Sequence, residues 1–222
     1  MKISARNVFT VLACAALYAV PVHAGSKHDQ KHSAHNASSS AGGAKAAQTE
    51  AALRDLWIGH GFWVRNVVLE TLRGNTAAAA VAEKEAFANA KQLAGSIEPF
   101  YGKEASEKFF SLLGGHYGAI KQYLDATVAG SRAKQEIASK AMVANGGEIA
   151  TFLSGANPNL PFETLQGALM AHGGHHMQQI QQLHNKEYGQ EAQTWEAMKV
   201  HMYGISGALT AGLAKQFPAK FI

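Results

Sequence analysis

The sequence predicts an all-α protein, three repeated helical hairpins forming one compact bundle of six helices, and three observations carry that prediction. From Ala51 to Phe217 the chain is rich in Ala, Leu, Gln, Glu and Lys, residues that lose little on entering a helix. Pro99, Pro158 and Pro161 fall only where the helical pattern breaks. Sliding the sequence against itself by 56 residues superposes apolar positions in three copies without a gap: Leu53 with Phe109 and Leu165, Val68 with Leu124 and Ile180, Leu93 with Ile149 and Ile205.

Residues 1–24 read as a secretory signal peptide. Lys2 and Arg6 give a positive start, Val8 to Val20 is an apolar run, and Val22-His23-Ala24 ends in small residues. The single cysteine, Cys14, lies inside that run, so disulfides, thiolate metal sites and a catalytic thiol are excluded from the rest of the chain. No later stretch approaches the roughly 20 apolar residues of a membrane span, and a periplasmic or secreted location follows as the expectation. Outside the signal, 18 Lys+Arg oppose 16 Asp+Glu, and no basic run with interleaved aromatics supports nucleic-acid binding.

Residues 25–49 have almost no large apolar side chains to offset the entropy of ordering, and are expected to form a flexible leader. His28, His32 and His35 lie there and are candidates for loose collection of divalent metal ions. The hairpin domain is expected over residues 50–218, with copies at about 51–102, 107–158 and 163–217. Gly74-Asn75, Gly130-Ser131 and Lys186 to Gly189 interrupt the helical pattern near the middle of each copy and mark the turns, with Asn75 and Ser131 suited to cap the returning helix.

Histidine is the residue that stands out, with eleven in the chain. The 56-residue shift aligns His60, His116 and His172, and in a second column Asn89, Asn145 and His201. In each copy the two members sit 14 or 15 residues either side of the turn, so they are expected to face one another at one height, roughly 21 Å from the turn. The pairs His60–Asn89 and His116–Asn145 are expected to be structural, an amide satisfying a buried imidazole. The third pair replaces asparagine with histidine, and two facing imidazoles begin a metal site.

Around that pair run LMAHGGHHMQQIQQLH and WEAMKVHMYG. His172 and His176 are four apart and share a helix face, and His175 flanks it. Met198 and Met202 complete the candidate ligand set of His172, His176, His201, His175, Met198 and Met202. Imidazole with thioether suits copper, and imidazole alone serves other divalent transition metals. Ligation needs neutral rings, so binding is expected to weaken below about pH 6.

Other chemistries lack their residues. No Glu-x-x-His pair, HExxH, CxxCH, GxSxG, P-loop or dinucleotide-binding turn occurs in the hairpin domain, so no catalytic residue is assigned. The segments LRDLWIGHGFWVR (53–65), EPFYG (98–102) and NGGEIATFLSGANP (145–158) resemble a family of small bacterial all-helical proteins with no settled activity, over about residues 51–217. The resemblance implies the helical architecture and carries over no site. The function expected is a soluble periplasmic transition-metal-binding protein, copper first, acting in buffering, delivery or resistance. Its rivals are a partner-binding helical module docking an envelope protein, and a bundle holding haem or another small molecule beside Trp57, Phe62 and Trp63.

Overall fold

The computed structural model describes the chain from Gln30 to Ile222, and its side chains from Gly42 onward. The expected signal peptide and His28 lie outside the described residues, as do the side chains of His32 and His35. The described residues form six helices: α1 (Gln30–Leu72), α2 (Thr76–Gly95), α3 (Glu98–Val128), α4 (Arg132–Ala156), α5 (Phe162–His184) and α6 (Tyr188–Gln216), followed by a 3-10 turn (Pro218–Lys220). Helix α1 thus begins within the segment that composition assigns to the leader.

The helices pack in chain order as a closed ring, each against the next, with α6 returning onto α1 and α5 also reaching α1 and α3. All-helical architecture and compact packing follow from the apolar spacing: Leu53, Trp57, Val64, Val67 and Val68 put one stripe of α1 inward, Phe109, Leu113, Ile120 and Leu124 one stripe of α3, and Leu165, Leu169, Ile180 and Leu183 one stripe of α5.

The three turns sit where the chain was expected to reverse. At Gly74 and Gly130 the backbone takes φ of 74° and 64°, which glycine adopts without penalty, whereas the third turn places Lys186 at φ 63°. Each turn closes on the same backbone bond, Asn75 N to Glu70 O, Ser131 N to Ala126 O and Glu187 N to Gln182 O, which satisfies a carbonyl at the helix end. Asn75 caps α2 through its side chain, accepting from Ala78 N at 3.2 Å. Ser131 occupies the corresponding position before α4 but makes no side-chain cap bond.

At the opposite end a polar chain ties the linkers to the last helix. Asn157, fully buried, donates to Tyr101 Oη at 3.0 Å, Tyr101 donates to Gln216 at 2.7 Å, and Gln216 donates to Ala156 O at 2.9 Å. Between the ends lie two apolar clusters, one around Leu53, Trp57, Leu93, Phe109, Leu169 and Met202, the other around Val64, Val68, Ile120, Leu124 and Ile180. The histidines occupy the level that separates them.

Candidate metal centre

His60 from α1, His116 from α3, and His172 and His176 from α5 converge inside the ring. One ring nitrogen of each lies within 4.8 Å of the others, and all four side chains are buried, none more than 5% exposed. The convergence follows from helix geometry. His60, His116 and His172 stand at one height on three helices that face a common interior, and His176 lies one turn beyond His172 on the same face.

His172 and His176 approach at Nε2 to Nε2, 3.2 Å apart, one ring donating to the other. The rings stack and cross without bulk between them: His116 to His172 at 5.6 Å between centroids, His60 to His172 at 5.5 Å, His60 to His176 at 5.4 Å. His60 Nε2, both ring nitrogens of His116, and His172 Nδ1 are buried without any hydrogen-bond partner. Leaving a buried polar atom unpaired costs about 1–3 kcal/mol, so several in one cluster form an arrangement that a bound cation would relieve.

Burial also settles protonation. Loss of solvent, with the neighbouring His116 as a lesser cause, pushes His60 down to about 3, and loss of solvent pushes His116 down to about 4. His172 and His176 are held well below the ordinary histidine range, first by burial and then by their neighbouring imidazoles. All four rings are therefore neutral at pH 7, the form that ligates a metal. In the folded protein protons compete for these nitrogens well below the pH 6 expected from unperturbed histidines.

The asparagine amide nitrogens bond to backbone, and Asn145 in addition stands close enough to His116 to offset part of the fall in its pKa. Asn89 Nδ2 donates to Leu56 O and Asn145 Nδ2 to Leu112 O, both at 3.0 Å, and His201 Nε2 donates to Ala168 O at 2.9 Å. All three are spent on a backbone carbonyl four residues before the facing histidine. Gly59 and Gly115 make this approach possible, since a Cβ there would lie 2.8 Å and 2.9 Å from the asparagine amide nitrogens. His60 and His116 lie in the cluster, while His201 stands beside it, its ring 6.2 Å from His172.

His175 is only partly buried and lies 5.6 Å from His201. Met198 and Met202 are fully buried and pack in the apolar cluster with Trp57 and Leu93, while the four imidazoles supply the converging nitrogens. The aromatic residues expected around a small-molecule pocket divide. Trp57 is buried, its ring nearly perpendicular to those of His60 and His172, whereas Phe62 is 49% exposed. The two apolar cavities along Trp57 leave about 20 Å³ and 40 Å³ of free space, far less than a macrocycle occupies.

An ion pair between a half-buried arginine and a buried glutamate braces the wall of the site. Arg65 of α1 reaches Glu191 of α6 through two bonds of 2.6 and 2.7 Å, and Gln179 of α5 donates to the same carboxylate at 3.1 Å. Three helices that border the histidines are fixed in register by these contacts. Among the described residues no helix is long and apolar enough to cross a membrane. No protein-family model matches the chain, and neither a curated protein nor a solved structure matches it.

Proposed function

We propose that the protein binds one divalent transition-metal ion at His60, His116, His172 and His176, and that it serves metal buffering, delivery or resistance in the bacterial envelope. The observation that carries this reading is the convergence of four buried, neutral imidazoles, three of which have an unpartnered ring nitrogen. A tetrahedral site with bonds of about 2.0–2.1 Å has its nitrogens roughly 3.4 Å apart, so the longest pair has to close by about 1.4 Å, a movement that ring rotation supplies. An all-nitrogen set suits Cu(II), Zn(II), Co(II) and Ni(II), whereas Cu(I) would draw more from thioethers. Copper stays in first place because it heads the affinity order of divalent ions at nitrogen ligands. The envelope location rests on the signal-like residues 1–24.

Calorimetric titration of the full chain with Cu(II), Zn(II) and Ni(II) tests the reading. One ion per chain should bind, the binding should survive replacement of His28, His32 and His35 by asparagine, and it should vanish in the double variant His60→Gln, His116→Gln. Binding lost with the leader histidines, or absent for every ion, would sink the assignment and leave the partner-binding module in its place.

A further inference from the structure

A centre whose four ligands are at most 5% exposed needs a route by which an ion reaches it. The surroundings of α5 and α6 hold a candidate. Beside the centre opens a cleft of about 450 Å³, lined by His175, Gln178, Gln182, Gln190, Gln193 and Thr194. Its lining carries neutral nitrogen and oxygen donors and no carboxylate, a chemistry that gives little hold on Ca(II) or Mg(II) and favours ions with affinity for imidazole. Gln182 is itself buried, and its Oε1 has no hydrogen-bond partner.

From the cleft the imidazoles form a continuous series inward. His175 lies 5.6 Å from His201, His201 stacks at 6.2 Å on His172, and His172 meets His176 at 4.7 Å between ring centroids. The hydrogen bond from His201 Nε2 to Ala168 O fixes its tautomer and leaves Nδ1 with a free lone pair. In the other two hairpins the same backbone bond is made by Asn89 and Asn145, so the bond does not itself require histidine.

We propose that His175 and His201 form an outer imidazole pair that takes a divalent transition-metal ion from this polar cleft and passes it to the buried four-histidine centre. The inference rests on the metal-binding reading above and adds the way in. No bond is made or broken other than metal coordination: the ion exchanges water for His175 and His201, then exchanges these for the buried imidazoles.

The test is stopped-flow uptake of Co(II) by the full chain, read from its ligand-field absorption, beside equilibrium affinity by chelator competition. The variants are His175→Gln and His201→Asn, the latter keeping the carbonyl bond as Asn89 and Asn145 do. Uptake should slow by about tenfold or more in each, because entry then waits on local opening of the bundle, with release slowed equally and equilibrium affinity kept. Uptake at the wild-type rate in both variants overturns the proposal. Weakened affinity with faster release also overturns it, and would make these residues ligands of the centre itself. Failure of the underlying reading is distinguishable, because it shows as absent Co(II) binding in the unaltered chain at equilibrium.

Discussion

Acid should strip the metal-free protein of about 5 kcal/mol of stability between pH 6 and pH 5, before most of its carboxylates protonate. In the unfolded chain His60, His116, His172 and His176 titrate near 6.5, whereas in the folded protein His60 is pushed down to about 3, His116 to about 4, and the other two well below the ordinary value. A lowered folded pKa gives stability that is complete above 6.5 and lost as the pH falls toward the folded values, since the unfolded state then binds the extra protons. Each histidine contributes about 1.4 kcal/mol per pH unit, so four together remove about 5 kcal/mol between pH 6 and pH 5. That is comparable to the whole stability of many domains, about 5–15 kcal/mol. The assay is urea unfolding in the presence of a chelator, followed by far-UV circular dichroism at several pH values from 7 to 5. The free energy should fall with a slope of about four protons, and with about two in the double variant His60→Gln, His116→Gln. A slope of one proton or less would show that the buried rings already carry protons in the folded state, and would refute the reasoning.

Further outcomes follow from the same contacts. Arg65→Ala leaves the Glu191 carboxylate buried with only Gln179 as a partner, and should cost about 2–3 kcal/mol in urea unfolding, more than Glu191→Gln. Gly59→Ala drives a Cβ against the Asn89 amide and should cost about 1–3 kcal/mol, while Gly155→Ala, with open space around it in α4, should stabilise by about 0.5–1 kcal/mol. Met198→Leu should leave metal affinity unchanged by calorimetry and shift stability by less than about 1.5 kcal/mol, because Met198 packs as core; a large loss of affinity would return the thioether to the ligand set. Saturating Zn(II) should hold the protein folded to lower pH than the chelator-treated form, visible as a displaced acid transition.

Much of the fold was legible along the chain. The apolar stripes of period 3.6, the prolines at breaks and the turn residues gave six helices, because these are local properties of a helix that buries one face. The spacing also put His60, His116 and His172 at one height. One signal lay unread in the same columns: the position that is Val64 in the first copy and Ile120 in the second is His176 in the third, a histidine at a core position on an inward stripe. Read as a departure from an apolar column, it marks a fourth inward imidazole beside the other three.

What the linear sequence determined by itself was therefore the elements, their turns and the height of each histidine, since these depend on residues within a few turns of one helix. Which histidines meet was decided only by tertiary packing. Pairing residues across one hairpin suggested His60 with Asn89, His116 with Asn145 and His172 with His201, but the asparagines and His201 bond to backbone carbonyls of the facing helix. The imidazoles are left to cross between hairpins, from α1, α3 and α5 into a common interior. The order of helices around a closed ring, and with it which faces share that interior, is set by contacts between residues far apart in the chain, and no spacing within one hairpin encodes it.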